Sequence, residues 1–203
     1  MRLGFFGGAF NPVHKGHMAL ALQAIEFLHL DRLWWIPANP WQKNPSELIA
    51  SEDRLAMLKL AVGKNEQMAV DVRELSREGL SYSIDTVKEL ARDFPNDQRF
   101  YLIGSDQWKN FHTWKHWKEL FNYVTFVIVV RNGIWEDPDQ EVTDFLQSNH
   151  IEILKMPMPA IDMDSSRIRT LLTEFNANRD QLRAALPAAV FDYLKSKTAS
   201  KAC

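Results

Sequence analysis

Short apolar runs alternate with helix-like segments along the first three quarters of the chain, and glycine, proline or asparagine bounds most of these runs. Such runs predict strands that are covered on both faces. They fall at residues 3–6, 33–36, 68–72, 100–103, 123–130 and 151–154. Between them, apolar positions at helical spacing predict helices at residues 14–29, from 51 onward, at 83–93 and at 141–148. This alternation predicts a parallel sheet with helices on both faces.

The pattern changes after Pro159, where only helices are predicted, at residues 165–175, 179–185 and 187–195. We therefore divide the chain into a Rossmann-like, doubly wound α/β core, residues 1–160, and a small C-terminal helical subdomain, residues 161–203. We expect the helical portion to pack on the core, so that the two form a single functional unit.

Composition and charge narrow the class of protein. Hydrophobic residues make up 46% and charged residues 25% of the 203 positions, as in ordinary globular proteins. The net charge of −2 argues against a nucleic-acid partner, which would need a basic surface. No apolar run reaches the roughly 20 residues of a membrane span, and no signal-peptide pattern precedes the first strand. Cys203 is the single cysteine, which excludes an internal disulfide. We expect a cytoplasmic protein without a membrane partner.

The clearest candidate site is residues 7–17, which read Gly-Gly-Ala-Phe-Asn-Pro-Val-His-Lys-Gly-His. His14 and His17 are three residues apart at a helix start, so both imidazoles lie on one face, beside the free N–H groups of the helix N-terminus. Gly7 and Gly8 would let the backbone approach a phosphate closely. The segment therefore predicts a phosphate-binding site. A plain strand-to-helix turn is the alternative, and a metal site is disfavoured because a third ligand is missing.

Two further polar clusters are candidates for ligand-binding sites. After the fourth predicted strand, Gly104 permits close approach, and Asp106 can accept hydrogen bonds from ribose hydroxyls or cap the next helix. Further on, Asp164 or Ser165 can cap a helix whose N–H groups are then aimed at an anion, and Arg169 adds a bidentate phosphate donor. An ordinary capped helix with a solvated arginine is the alternative for this last cluster.

Residues 7–17 closely resemble the signature Gly-Gly-[Thr/Ser]-Phe-[Asp/Asn]-Pro-x-His-x-Gly-His of a nucleotidyltransferase superfamily, and the remaining motifs are similar to those of the bacterial nicotinate-nucleotide adenylyltransferases. The resemblance covers essentially the whole chain. Ala9 departs from the usual hydroxyl residue, and Asp164 replaces the first serine of the motif Ile-Ser-[Ser/Ala]-[Thr/Ser]-x-Ile-Arg. The ATP-binding residues that the resemblance implies are Gly7, Gly8, Ala9, Phe10, His14, His17, Gly104, Asp106, Ser165, Ser166, Ile168 and Arg169.

The resemblance also implies a pyridine mononucleotide site. Residues 111–114 match a Phe-x-x-Trp pattern in which the tryptophan stacks on the pyridine ring. The alternative role for Trp114 is packing in the hydrophobic core. Residues 81–86 resemble a segment whose backbone N–H groups frame the nicotinate carboxylate, and a helix cap at Ser83 is compatible with that role. The implied mononucleotide-binding residues are Ser83, Ile84, Trp114 and Arg131.

Lys43 completes the implied catalytic set. It lies in a proline-rich loop similar to the family's Pro-x-x-Lys loop and could close over phosphates, whereas an ordinary surface lysine is the alternative. The implied catalytic residues are His14, His17, Lys43 and Arg169.

The reaction that the resemblance implies transfers the adenylyl group of ATP to nicotinate mononucleotide and releases pyrophosphate. The mononucleotide phosphate has a second pKa of about 6, so it is already ionised and attacks in line without a general base or a covalent enzyme intermediate. Mg²⁺ is expected to arrive with ATP, because the sequence offers no dedicated carboxylate cage. Three other acceptors stay open: nicotinamide mononucleotide, phosphopantetheine and glycerol phosphate. A non-catalytic nucleotide-binding regulator stays open as an alternative function, and a homo-oligomer stays open as the assembly.

Overall fold

Six parallel strands form one sheet in the computed structural model, which describes residues 1–38, 48–159 and 164–200. The strands are β1 (Arg2–Gly8), β2 (Arg32–Pro37), β3 (Met68–Val70), β4 (Gln98–Gly104), β5 (Thr125–Arg131) and β6 (Leu154–Met158). Their order in the sheet, β3-β2-β1-β4-β5-β6, is that of a doubly wound Rossmann-type fold. The order reverses between β1 and β4, and ligands of such sheets bind at this switch point.

Helices cover both faces of the sheet, which confirms the predicted fold class. Those in the described residues are α1 (Lys15–Leu28), α2 (Ser51–Val62), α3 (Arg73–Ser76), α4 (Ser83–Asp93), α5 (Ser105–Lys109), α6 (Trp117–Leu120), α7 (Gln140–Ser148), α8 (Ser165–Leu172), α9 (Arg179–Ala185) and α10 (Ala188–Ser200), with a 3-10 turn at Phe111–Thr113. The first two helices and the last three pack on one face, and α4 to α7 pack on the other.

The strands are apolar throughout because they are buried on both sides. Successive residues of a strand point to opposite faces. Phe5 and Tyr101 therefore lie in the core beneath α4, whereas Phe6 and Leu102, one residue further along, lie in the core beneath α1. A sheet with two covered faces needs no polar alternation, so these strands are recognisable as continuous apolar runs.

The C-terminal helices share the core of the sheet. Phe175 belongs to the same buried cluster as the apolar residues of α1 and α2. The Tyr193 hydroxyl of α10 donates to Asp53 of α2 at 2.5 Å, and the Lys15 ammonium of α1 donates to the carbonyl of Ala184 at 2.7 Å. These contacts hold α9 and α10 against α1 and α2.

The structure differs from the prediction at the last strand. Residues 151–154 are predicted as a strand, but β6 starts at Leu154, where its pairing with β5 begins. The residues just before β6 instead form the C-terminal cap of α7. His150 adopts a left-handed φ of 52°, and the N–H of Ile151 donates to the carbonyl of Leu146. An apolar run alone does not reveal that its first half closes a helix.

Other ends of elements shift by a few residues. The third strand stops at Val70 rather than at residue 72, because Asp71 accepts from the N–H of Arg73 and starts the short helix α3. Ser83 is the first residue of α4 rather than its cap, and Tyr82 holds the N-cap position. The helix predicted at residues 165–175 ends at Leu172.

Candidate active site

A cleft of about 300 Å³ lies at the carboxyl ends of β1, β4 and β5, at the switch point of the sheet. Ten of the residues predicted for the site line it, namely Gly7, Gly8, Ala9, Phe10, His17, Ser83, Gly104, Asp106, Trp114 and Arg131. The lining residues that were not predicted as site residues include Glu74, Tyr101 and Lys115. The fold therefore brings the glycine turn, the segment after β4 and the aromatic segment into one concave surface.

The two histidines form a stacked pair at the start of α1. His14 holds the N-cap position, and the ring centroids of His14 and His17 are 3.8 Å apart, as the three-residue spacing predicts. The His14 backbone N–H donates to Nδ1 of His17 at 3.3 Å, so the proton of a neutral His17 ring is on Nε2. His17 lines the cleft, whereas the side chain of His14 is buried and its Nδ1 has no hydrogen-bond partner among the described residues.

Both imidazoles are neutral at pH 7. Burial, assisted by the charge of Arg131 and opposed by that of Asp164, lowers the pKa of His14 to about 4. Burial also holds the pKa of His17 well below its usual range, and the charges on His14 and Arg131 act in the same direction. The pair therefore offers oriented N–H donors, and an anion placed beside it would raise both pKa values.

Phe10 supports His17 from the core side. Its backbone is left-handed, with a φ of 44°, a strained conformation for a residue with a bulky side chain. The ring is 2% exposed and meets the His17 ring edge-on at a centroid distance of 5.2 Å. Packing against Phe6 and Trp35 holds it there. The strained turn therefore fixes the orientation of the imidazole that faces the cleft.

Arg54 is a buried residue of the site that the sequence analysis missed. It is 1% exposed and donates to three backbone carbonyls, those of Ala9 at 2.6 Å, Ala38 at 2.8 Å and Ile49 at 3.1 Å. These carbonyls belong to the glycine turn, to the end of β2 and to the segment before α2. One signal was available in the sequence: Arg54 is four residues before Leu58 and lies on the apolar face of its helix.

Two of the three glycines that line the cleft, Gly7 and Gly104, make room for side chains of the protein itself. A Cβ on Gly7 would lie 2.8 Å from the hydroxyl of Tyr101, a residue that is 4% exposed. A Cβ on Gly104 would collide with the carboxylate of Asp106 and would lie 3.9 Å from the guanidinium of Arg131. The space predicted for a phosphate at Gly7 is therefore occupied by the Tyr101 hydroxyl, and the space predicted for a ligand at Gly104 is occupied by the Asp106 carboxylate.

Helix α8 is fastened to the turn that carries the histidines. The Ser165 hydroxyl donates to the carbonyl of Pro12 at 3.2 Å, and the Arg169 guanidinium donates to the carbonyl of Asn11 at 3.1 Å. Of the two predicted capping residues, Asp164 makes the cap, since its carboxylate accepts from the N–H of Arg167 at 2.8 Å. The N-terminus of α8 therefore lies beside the start of α1, although none of its residues lines the cleft.

Two other residues of the predicted ATP-binding set belong to the same helix, α8. The hydroxyl of Ser166 accepts a hydrogen bond from the Arg169 guanidinium at 3.0 Å. Ile168 is fully buried in the core, and its N–H donates to the carbonyl of Asp164 at 3.1 Å. Its side chain therefore supports the helix from below rather than facing a ligand.

The aromatic end of the cleft is formed by Trp114 and the start of α4. Trp114 packs on Phe111 at a centroid distance of 5.2 Å and also lines the cleft, so its packing in the core does not exclude the predicted contact with a ligand. The side chain of Ser83 shares a hydrogen bond with the buried Tyr101. Ile84 is 2% exposed, belongs to the core and does not line the cleft.

The buried carboxyl of Glu74 braces this end. It accepts from the hydroxyl of Thr86 at 2.6 Å, and burial raises its pKa. Its backbone carbonyl accepts from the hydroxyl of Ser81 at 3.2 Å. The segment before α4 is thereby tied to α3, which fixes the wall of the cleft opposite the glycine turn.

Lys43 lies outside the described residues. Among the residues that are described, no group of three or more histidine, cysteine, aspartate or glutamate side chains is placed to hold a metal ion. Within the same ranges, no helix has the length and apolar character to cross a membrane.

The fold and the cleft define a class of nucleotidyltransferase-like proteins. The sequence profile of the Cytidylyltransferase-like family matches residues 5–171, so the chain belongs to that family. Curated relatives narrow the class. One from Methylibium petroleiphilum is 37% identical over 194 residues, covering 95% of this chain and 89% of the relative. One from Thermus thermophilus is 36% identical over 196 residues, covering 96% of this chain and 97% of the relative. Both are named "Probable nicotinate-nucleotide adenylyltransferase", and this chain belongs to their family.

Solved structures confirm the fold. The Plasmodium falciparum nicotinic acid mononucleotide adenylyltransferase, complexed with NaAD, superposes with a TM-score of 0.72 over 97% of this chain and 95% of its own. The same enzyme complexed with APC gives the same TM-score. The sequence identity is 17%, so the likeness concerns the fold.

Proposed function

We propose that this protein transfers the adenylyl group of ATP to nicotinate mononucleotide, giving nicotinate adenine dinucleotide and pyrophosphate. The observation that carries the proposal is the cleft itself, whose lining includes both the His17 donor and the aromatic ring of Trp114. The near full-length similarity to relatives named for this activity supports the same conclusion.

The proposed mechanism is positioning together with charge stabilisation, because the attacking phosphate is already ionised at neutral pH. Nε2–H of His17 would donate to an oxygen of the α-phosphoryl group as its charge rises in the transition state. His14 backs that ring at 3.8 Å, and Arg131 supplies a positive charge close to both. No residue is needed as a nucleophile or a general base.

The other predicted residues retain supporting roles in the proposal. Asp106 would accept from the ribose of ATP, and Trp114 would stack on the pyridine ring. Arg169 and the N-terminus of α8 would meet the triphosphate, and Lys43 would join them. Since Arg169 already holds the carbonyl of Asn11, it also positions the turn before the histidines.

Mg²⁺ would be held by the phosphates of ATP, because the described residues form no cage for it. Bound in that way, it would neutralise phosphate charge, while the protein supplies the directed donors. A cytoplasmic location and a homo-oligomer stay predictions.

The experiment is pyrophosphate release with ATP, Mg²⁺ and either nicotinate or nicotinamide mononucleotide. We expect turnover, and we expect His17→Ala to lower it by about 100-fold or more, the scale of losing one transition-state donor. His29→Asn is the matched control, because His29 is exposed at the end of α1 with a φ of 49°, which asparagine adopts readily. Near-normal turnover in His17→Ala would refute the assignment, and absence of turnover with both mononucleotides would refute the reaction.

A further inference from the structure

Four charged side chains line the cleft in the described residues, and they are not spread evenly. Arg131 lowers the pKa of both histidines and so belongs to the phosphate end. Asp106 lies over Gly104, at the carboxyl end of β4. Glu74 and Lys115 line the aromatic end, where the pyridine ring would bind. The charge at that end is therefore set by one carboxyl and one ammonium.

The ammonium of Lys115 is held at the wall of the cleft by an aromatic face. Its Nζ lies 4.2 Å from the centroid of the Tyr82 ring, a cation–π contact. Tyr82 is the N-cap residue of α4 and also lines the cleft. Lys115 directly follows Trp114, so the charge lies between the stacking residue and the start of α4. An exposed lysine without such a contact would spread its charge over many rotamers.

A carboxylate on the pyridine ring would meet an unfavourable neighbour here without this lysine. Glu74 lies on the same wall, and any charge on it would repel a second carboxylate placed beside it. A nicotinamide ring carries no such charge and would not be repelled. The ammonium is thus a cationic side chain at this end of the cleft, and it would favour an anionic ring substituent over a neutral one alongside the backbone N–H groups at the start of α4.

We propose that Lys115 is a specificity-determining residue, whose ammonium recognises the carboxylate of the base and makes the cleft prefer nicotinate over nicotinamide mononucleotide. This inference rests on the proposed function. It concerns the choice between two acceptors of the same chemistry, and it leaves the transfer step to the histidines and Arg131.

The test compares kcat/KM for the two mononucleotides in Lys115→Gln and in the unaltered protein. An exposed ion pair contributes modestly, so we expect kcat/KM for nicotinate mononucleotide to fall by about threefold to fivefold through KM. The value for nicotinamide mononucleotide should stay within about twofold. Lys115→Arg, which keeps the charge and the cation–π contact, should restore the preference. Raising the ionic strength from about 0.05 to about 0.5 M should erode the preference of the unaltered protein but not that of Lys115→Gln.

Lys118→Gln is the matched control. Lys118 is also exposed and three residues further on, but its ammonium pairs with Glu141 at 2.7 Å and it does not line the cleft. Lys118→Gln should therefore change kcat/KM for neither mononucleotide. Equal losses for both mononucleotides in Lys115→Gln, or no loss for either, would overturn the proposal. Failure of the proposed function would look different, because the unaltered protein would then release no pyrophosphate with either mononucleotide.

Discussion

The buried histidine pair should make the folded protein sensitive to acid. The pKa of His14 is about 4 in the folded protein, against an ordinary value of 6.5, and that of His17 is lowered as well. Because the folded state binds fewer protons than the unfolded chain between these values, its stability is complete above pH 6.5 and is lost as the pH falls toward 4. At about 1.4 kcal/mol per pKa unit, His14 alone accounts for about 3 kcal/mol of that loss.

The assay is urea unfolding followed by tryptophan fluorescence at several pH values from 7 to 4. In His14→Gln, the glutamine cannot be protonated, so the fall in the free energy of unfolding across this window should be smaller by about 2 to 3 kcal/mol. Glu74 opposes the histidines, since burial raises its pKa, but it contributes equally to both proteins and cancels in the comparison.

The control for this comparison is His29→Asn, which removes an exposed histidine and should leave the pH dependence unchanged. Parallel curves for the unaltered protein and His14→Gln would refute the reasoning. They would mean that His14 is as easily protonated in the folded state as in the unfolded chain, and that the pair is not a set of neutral donors at pH 7.

Three further substitutions test other parts of the structure. Arg54→Met leaves three buried carbonyls without their donor, so we expect a loss of about 3 kcal/mol in urea unfolding and a raised KM for ATP; an unchanged KM would separate Arg54 from the site. Gly7→Ala should lower the free energy of unfolding by about 1 to 3 kcal/mol, because the new Cβ would lie 2.8 Å from the Tyr101 hydroxyl. Adding Tyr101→Phe to the same chain should recover most of that loss. If it recovers none, the strain does not come from the Tyr101 hydroxyl. Tyr193→Phe removes the hydrogen bond to Asp53 and should lower thermal stability by about 1 kcal/mol without changing KM, whereas an altered KM would show that α10 reaches the site.

The particular elements show where sequence reasoning succeeds and where it stops. Continuous apolar runs located all six strands, because strands covered on both faces have no polar positions to interrupt them. The same runs placed the start of β6 too early. The residues before β6 end α7 instead, through a hydrogen bond from the Ile151 N–H to the Leu146 carbonyl that an apolar run does not reveal. Local propensity determines which segments exist, and the competition between neighbouring elements determines where they end.

The sequence by itself determined the order of elements and the spacing of the two histidines, since both depend on residues close together in the chain. Only the tertiary structure decided the electrostatics of the site. Burial makes both imidazoles neutral, Arg54 joins three segments that are distant in sequence, and the Tyr101 hydroxyl occupies the space that Gly7 leaves. Lys115 gains its place in the cleft only because α4 brings the Tyr82 ring beneath it. These properties arise from desolvation and from contacts between remote residues, and no local pattern of residues encodes them.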